Sequence, residues 1–495
     1  MKTKNQAYPA IKKGIDIKLN VKPAYLHLIH QYEYEGPCRT APPEQLTTEF
    51  DIKIGKEKFE NFKKDLNARY SKEVNMLSPA YLTWTDEFIL RDEQMKKVLS
   101  DVGETDFFLF DGVFHQFPAV ELAVRYKKPV GIIGCCASTD ASAYLKAKGL
   151  EAYGYIDHEH ANRGLSLLRV KKAISNTNVL VALKNDIVSK GVLSTITDIE
   201  GLKNDLGIRF TYINAEELLE EVHRLTKKDL EEAERITKDL VDNAEKSHIE
   251  TKHILSSVKF YITVKKLLEK YECNAFTVPC FEICATRILN KEKYTFCLAH
   301  SLLKEEGIPS ACEADINVLM AINVLTNLTK CAPHMGNTHP LANEEKRDQS
   351  TPAGLELVDE IKGKKNLVSV WHAVPTRKMK GIDKAMLPYD IRNLTYGGWG
   401  ATIRYDFNRD INETITLLRF HPTGKKMFAV KGKIIAGAGF NTAHCATGLY
   451  FQVENVKDFF RKEQHFGHHY AWVYGDYIED LNDLGEVLGI EVVTA

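Results

Sequence analysis

The sequence lacks the motifs that mark the common cofactor-binding and nucleic-acid-binding classes. It contains ten cysteines, but no two of them form a CxxC pair, so a zinc or iron–sulfur site is not indicated. We interpret the cysteines as reduced thiols with packing roles. No GxGxxG follows the first predicted strand, which argues against a bound dinucleotide. With 66 Lys and Arg against 67 Asp and Glu there is no basic excess, so nucleic acid is not an expected partner.

Long apolar segments are also missing. No apolar run approaches the ~20 residues that cross a bilayer. The N-terminal stretch MKTKNQAYPAIKKGIDIKL lacks the apolar core of a signal peptide. We therefore expect a cytoplasmic protein without a membrane partner, and a chain of 495 residues should divide into two to four domains.

Acidic side chains follow two apolar runs near the middle of the chain. The runs 274–280 and 308–312 have the profile of strands in a parallel sheet, and the segment between them has helical periodicity. Glu282 follows the first run, and Glu313 and Asp315 follow the second. Because ligands bind at the carboxyl ends of parallel strands, and neighbouring strands lie about 4.8 Å apart, the acids should converge.

Converging carboxylates either hold a cation or share a proton, and both arrangements are catalytic. The structural alternative is that each acid only caps a helix. A histidine pair, His468 and His469, follows Gly467 near the C-terminus at a predicted loop, where ring nitrogens can face a ligand. Together with the acids it would form the mixed oxygen and nitrogen set that suits Mn²⁺.

The order of predicted elements indicates an α/β protein in three parts. Strands alternate with helices in residues 1–170 and again in 171–350, which predicts two Rossmann-like parallel sheets. Residues 351–495 contain β-type runs separated by Gly and Asn turns, which predicts an antiparallel barrel or sandwich. The Gly-, Asn- and His-rich stretch at 331–344 is predicted to be a loop that covers the site.

Further polar residues lie where they could bind a substrate, although a strand histidine is more often structural and an exposed arginine often pairs with a surface acid. His372 lies within the predicted strand VSVWHAVP. The other candidate substrate-binding residues are His115, Arg39, Asn337, Arg404 and His468.

The order of these motifs, FE, then CEAD, then a strand-borne His, then GHH, resembles the L-fucose isomerase and L-arabinose isomerase superfamily. The resemblance is clearest over residues 270–495. It implies two Rossmann-like domains followed by a β-barrel domain. It also implies an aldose–ketose isomerase that uses a divalent metal, usually Mn²⁺ or otherwise Mg²⁺ or Co²⁺. A homo-oligomer, trimer or hexamer, with active sites at subunit interfaces is expected.

The resemblance also implies roles for single residues. Glu282 matches the first catalytic metal ligand, His469 the shared C-terminal ligand, and His372 an additional ligand of the arabinose-type enzymes. The second acid is either Asp315, as in fucose-type enzymes, or Glu313, as in arabinose-type enzymes. This combination fits neither enzyme, so the sugar stays open between a pentose, a deoxyhexose and a modified hexose, neutral or anionic.

The expected chemistry moves a proton between C2 and C1 of the sugar through a cis-enediol, with Glu282 and its partner acid as shuttles. Two alternatives come from other classes. A non-catalytic sugar-binding protein shares the two-lobed layout, but the missing signal peptide and DNA-binding segment count against it. A metal-dependent lyase or epimerase could use the same enediolate.

Overall fold

The computed structural model describes residues 8–30, 42–84, 91–112, 114–184, 191–341 and 355–495. Two compact units are present, one spanning Ile17–Lys172 and the other combining Met1–Asp16 with Ala173–Ala495. Of the helices in the described ranges, none has both the length and the hydropathy of a bilayer-spanning segment. The three domains predicted at 1–170, 171–350 and 351–495 stay predictions.

The unit Ile17–Lys172 is built on a parallel sheet. Its strands are β1 (Leu19–Leu28), β2 (Val74–Met76), β3 (Ala80–Trp84), β4 (Phe107–Gly112), β5 (Val130–Ile133) and β6 (Ala152–Tyr155). Its helices are α1 (Thr48–Arg69), α2 (Asp92–Val98), α3 (Gln116–Tyr126), α4 (Cys135–Ala147) and α5 (His158–Ser175). The strand order is β2-β1-β4-β5-β6, β3 also pairs with β1, and every pairing is parallel. Strand β4 begins with four fully buried residues, as expected of a strand covered on both faces.

The second unit holds the remaining elements. Its strands are β7 (Asn178–Leu183), β8 (Arg209–Asn214), β9 (Lys246–Ser247), β10 (Ala275–Thr277), β11 (Ser310–Ala311), β12 (His334–Leu341), β13 (Leu367–Trp371), β14 (Asp390–Asn393), β15 (Ala401–Arg404), β16 (Thr414–Phe420), β17 (Lys426–Ala438), β18 (Gly448–Gln452), β19 (His469–Tyr474) and β20 (Glu491–Thr494). Its helices are α6 (Ile199–Leu206), α7 (Ala215–Glu221), α8 (Lys227–Asp242), α9 (Thr251–Lys270), α10 (Cys280–Ala285), α11 (Ile288–Glu292), α12 (Cys297–Glu305), α13 (Ile316–Thr329), α14 (Val456–Phe466) and α15 (Ile478–Leu488).

Three sheets organise these strands. A parallel sheet has the order β11-β10-β7-β8, and a small sheet has the order β15-β14-β9. The largest sheet is β16-β19-β12-β13-β18-β17-β20, and an additional pairing of β16 with β17 joins six of its strands into a ring. All pairings within the ring are antiparallel. The predicted α/β class with parallel sheets and a separate, mainly antiparallel sheet is confirmed, whereas the barrel stays a prediction.

The prediction of a loop at 331–344 is wrong for most of that segment. Strand β12 occupies its centre and pairs antiparallel with both β13 and β19. Its polar composition hides the strand, because hydrogen bonds to two neighbours outweigh a low intrinsic preference for β structure. Gly336 allows the close pairing, since a Cβ there would lie 2.8 Å from the backbone of Trp371.

The helical segment between β10 and β11 is also more divided than its periodicity indicates. It forms α10, α11 and α12 in place of one helix. The breaks occur at Arg287 and Lys293, which have positive φ angles of 63° and 59°. Left-handed residues cannot continue a right-handed helix, so the chain turns twice before it reaches β11.

Helix α13 links the parallel sheet to the ring. Its sequence INVLMAINVLTNLT is mainly apolar, and it is buried over nearly its whole length. It packs against β16 and β19 of the ring. Each buried Leu, Ile or Val here contributes about 1.5–3 kcal/mol, so the start of α13 is held in a fixed place between the two sheets.

Glu463 makes stability depend on pH. Its side chain on α14 is 5% exposed and accepts a hydrogen bond from Thr338, and burial raises its pKa to about 7. Between the ordinary pKa of a glutamic acid and a pH of about 7, the Glu463 side chain therefore keeps its proton in the folded protein and loses it in the unfolded chain. The free energy of unfolding should fall by about 3 kcal/mol as the pH rises through this interval.

We expect Glu463→Gln to flatten this dependence in thermal unfolding midpoints measured between about pH 5 and about pH 8. The exposed Glu486 on α15 provides a control, because Glu486→Gln should leave the slope of the parent protein unchanged. An unchanged slope in Glu463→Gln would show that this carboxyl group is not the source.

Candidate active site

The parallel strands β10 and β11 end side by side, with Thr277 opposite Ala311. After β10 the chain passes Pro279 into α10, whose first turn carries Glu282. Glu313 lies just beyond the end of β11, shortly before α13 begins. Both acids therefore lie just beyond the carboxyl ends of neighbouring strands in the same sheet, which is where α/β proteins bind ligands.

The backbone is strained at the second acid. Glu313 and Ala314 have φ angles of 63° and 52°, a conformation that costs a non-glycine residue about 1–2 kcal/mol. Two hydrogen bonds hold this turn. The Ala314 amide donates to the Val278 carbonyl at 3.0 Å, and the Thr195 hydroxyl donates to the Ala314 carbonyl at 3.1 Å. Strain maintained beside a carboxylate is typical of a functional site.

Asp315 is buried and has several partners. One oxygen, Oδ1, accepts hydrogen bonds from the amides of Asn317 at 3.0 Å and Val318 at 3.3 Å, which caps α13. The other, Oδ2, accepts from Arg419 Nη1 at 2.8 Å and lies 3.0 Å from His469 Nδ1. Burial opposes ionisation, but Arg419 and His469 hold the pKa of Asp315 well below its usual range. Asp315 is therefore a carboxylate with both oxygens engaged.

Arg419 joins this carboxylate to three other segments. It is fully buried on β16. Its guanidinium also donates to Ser194 Oγ at 2.9 Å and to the backbone carbonyls of Phe466 and His469. A buried charge is tolerable only when its donors are satisfied in this way.

Two histidines of the ring sheet lie beside the acids. His469 is the first residue of β19, not part of a loop, and His372 directly follows β13. Their rings are buried with centroids 5.3 Å apart. His372 Nε2 lies 3.6 Å from Glu313 Oε1, which is longer than a hydrogen bond. Within the described ranges, His469 Nε2 and both ring nitrogens of His372 have no hydrogen-bond partner.

The electrostatics prepare these groups as ligands. Burial lowers the pKa of His372, so its imidazole is neutral and keeps a lone pair. Burial would raise the pKa of Glu313, but His372 and His469 hold that pKa at about 2. An ionised carboxylate next to the neutral imidazole of His372 is a protonation state that suits cation binding.

This donor set fits a divalent cation. Buried polar atoms are nearly always hydrogen-bonded, so unpartnered imidazole nitrogens beside a carboxylate indicate a missing partner. Glu282 and Glu313 offer oxygen, and His372 and His469 offer nitrogen. That mixture suits Mn²⁺ or a similar ion.

A second cluster of possible metal ligands, in which the ligand atoms are more closely spaced, includes two thiols. Cys280, Cys312 and Glu313 each offer an atom, and these atoms lie within 4.8 Å of one another. No group that contains Glu282 or His469 reaches this spacing in the part of the chain that the structure describes.

Two of the predicted substrate residues lie next to the histidines. Asn337 is on β12 directly opposite His469. His468 precedes β19 and is exposed, and its ring lies 6.3 Å from that of His469. Both are therefore placed where a ligand of His469 could contact them.

Arg404 lies in a different setting. It is fully buried on β15, where burial lowers its pKa to about 10. It donates to the hydroxyls of Thr402 and Thr447 and to the carbonyl of His444. These bonds tie β15 to the segment before β18 and use three of the five N–H donors of the guanidinium.

The remaining two candidates are His115 and Arg39. His115 belongs to the unit Ile17–Lys172, where it is buried and its Nε2 lies 2.6 Å from the Ile133 carbonyl. Arg39 lies outside the described residues. Their roles as substrate-binding residues stay predictions.

Arg419 is the residue that sequence reasoning missed. The signal was present, because a charged side chain interrupts the apolar strand TITLLRF. A cation in a buried strand needs a buried anion, and Asp315 was available as that anion.

Comparison with known proteins indicates the same class of enzyme. The chain is 24% identical over 351 residues to sulfoquinovose isomerase from Priestia aryabhattai and, equally, to sulfoquinovose isomerase from Priestia megaterium. The alignment covers 67% of this chain and 68% of each relative. No family model matches the sequence. The similarity supports the prediction of a sugar isomerase, whereas the superfamily stays a prediction.

Removing one partner of the buried ion pair should be strongly destabilising. We expect Arg419→Met to lower the free energy of unfolding by about 3–5 kcal/mol, because the buried Asp315 charge loses its partner. Adding Asp315→Asn to Arg419→Met should restore part of this loss, since the unpaired charge is then removed. Urea unfolding measures both variants.

The exposed ion pair of Arg409 with Glu245, at 2.7 Å, provides the matched control. Arg409→Met should cost less than about 1 kcal/mol, because solvent screens an exposed pair. Equal losses in Arg409→Met and Arg419→Met would contradict the role assigned to burial.

Proposed function

We propose that this protein is an aldose–ketose isomerase that acts on a sugar with an anionic substituent. Both relatives are named for sulfoquinovose, a sulfonated sugar. The observation that carries the proposal is the buried cluster of the Glu313 carboxylate with the His372 and His469 rings, whose nitrogens include three without a hydrogen-bond partner among the described residues. The sugar-binding and lyase or epimerase alternatives receive no support from the names of the relatives.

We propose further that Glu282, Glu313, His372 and His469 hold a divalent cation, with Mn²⁺ as the best match. Asp315 then acts through His469 and is not itself a ligand. This choice rests on hydrogen bonding, because both oxygens of Asp315 are already engaged. A carboxylate on one imidazole nitrogen leaves the other nitrogen for the ion, an arrangement common at metal sites.

The side chains of the site match the proton transfers of the reaction. A cation bound there would polarise the neighbouring carbonyl and hydroxyl oxygens of a sugar and acidify the C–H bond between them. Glu282, which is half-buried, would move the proton between C2 and C1. Glu313 would exchange the proton of the adjacent hydroxyl group. Asp315 keeps the His469 ring oriented throughout.

The assembly and the location of the protein are separate proposals. A homo-oligomer with active sites at subunit interfaces is implied by the sequence resemblance, and a cytoplasmic location is expected from the composition of the N-terminal stretch; both stay predictions.

A substrate panel tests the reaction class. With Mn²⁺ present, we expect conversion of sulfoquinovose to its ketose, and slower or no conversion of L-fucose, L-arabinose and glucose. Nuclear magnetic resonance spectra of the products identify the ketose. Binding of sulfoquinovose without turnover would favour a sugar receptor, and cleavage products would favour a lyase.

Metal content and turnover of single variants test the assignment of the acids. Glu313→Gln and His469→Ala should lose both bound metal and activity. Asp315→Asn should keep metal and lose activity about 10–100-fold, because it removes a group that orients a ligand. Elemental analysis beside an isomerase assay gives both values.

The exposed Glu360 provides the control, since Glu360→Gln should match the parent protein in metal and rate. If Asp315→Asn lost its metal while Glu313→Gln kept it, the two acids would have exchanged roles.

A further inference from the structure

Two thiols lie together at the edge of the candidate active site. Cys280 is the first residue of α10, and Cys312 directly follows β11. Their sulfur atoms are 2.8 Å apart, and both cysteines are free. Cys312 is buried, whereas Cys280 is only partly buried, so a small ion can approach from the Cys280 side.

Other ligand types lie next to the thiol pair. Glu313 offers a carboxylate oxygen within 4.8 Å of both sulfur atoms. On the other side of Glu313, His372 Nε2 lies 3.6 Å from Oε1. The His372 ring is 1% exposed and has no hydrogen-bond partner among the described residues. Two sulfurs and one oxygen thus lie around one position, and an imidazole nitrogen lies beside the same carboxylate.

We propose that Cys280, Cys312 and Glu313 form a binding site for a thiophilic divalent cation such as Zn²⁺ or Cd²⁺, with His372 as the fourth ligand. Thiolate ligands select zinc and related soft ions, whereas Mn²⁺ and Mg²⁺ prefer oxygen and imidazole nitrogen. Four ligands of these kinds match the tetrahedral coordination of zinc. Sequence patterns do not reveal this site, because its cysteines are 32 residues apart and form no CxxC pair.

Occupancy of this site would affect catalysis. Glu313 and His372 cannot serve a thiol-bound ion and the isomerase cation at once, so the thiophilic ion excludes the catalytic one. This consequence rests on the proposed function, whereas binding of the ion to the thiols does not. The thiol site is therefore an inhibitory site that distinguishes zinc-like from manganese-like ions.

Cadmium titration tests the site without any activity measurement. The full-length protein is first reduced with a phosphine, freed of metal by a chelator and kept under nitrogen. We expect Cd²⁺ to produce the ultraviolet charge-transfer band of a cadmium–thiolate bond, saturating at one ion per chain. Cys280→Ser and Cys312→Ser should each reduce the band to about half or less, because one of two thiolates is lost.

Cys284 provides a matched control in the same helix. It lies four residues after Cys280 on α10, is exposed and is not part of the cluster. Cys284→Ser should therefore give the band and the affinity of the parent protein. A band that is absent from the parent protein, or unchanged in both Cys280→Ser and Cys312→Ser, would overturn the proposal.

X-ray absorption of the zinc-loaded parent protein tests the site without a variant that has to fold. We expect sulfur neighbours at about 2.3 Å from zinc. A shell of oxygen and nitrogen alone would overturn the proposal. Neither readout needs a sugar, so failure of the isomerase assay would leave this result standing, and the reverse is also true.

Discussion

The buried ion pair of Arg419 with Asp315 fixes the geometry on which the site depends. Both side chains are fully buried, so their charges have lost all hydration. Such a pair is stable only when the remaining donors and acceptors are also satisfied. Here the amides at the start of α13 and the carbonyl groups near β19 complete the set. These contacts link the packing of the parallel sheet against the ring sheet to the positions of the Asp315 and Arg419 side chains.

This link explains how ligands from distant parts of the chain can meet. Asp315 is the N-cap residue of α13, and Glu313 lies two residues before it on a strained turn. His469 Nδ1 lies 3.0 Å from Asp315 Oδ2, and Nε2 has no hydrogen-bond partner among the described residues. A shift at the start of α13 would therefore move the carboxylate of Glu313 and the ring of His469 together, and both are proposed ligands of the cation. Under the proposed function, stability and catalysis depend on the same contacts in this part of the protein.

Local sequence patterns predicted the elements but not the contacts between them. The runs that contain β10 and β11, and the β-type runs within 351–495, follow from apolar patterns and turn residues. Strand β12 was missed because its pairing comes from β13 and β19, which lie far away in sequence. The choice between Glu313 and Asp315 was open for the same reason. The choice depends on the positive φ angles of Glu313 and Ala314. It also depends on Arg419, which lies more than a hundred residues from Asp315 in the sequence.

The central claim is that Asp315 positions His469, while Glu313 and His469 hold the catalytic cation. Anomalous diffraction from a crystal of the protein loaded with Mn²⁺ tests it most directly, because the ion and its ligands are seen together. The account predicts one manganese peak bonded to Glu313 and to His469 Nε2, with Asp315 still hydrogen-bonded to Nδ1 and to Arg419. A manganese ion bonded to Asp315, or bound away from both histidines, would contradict it.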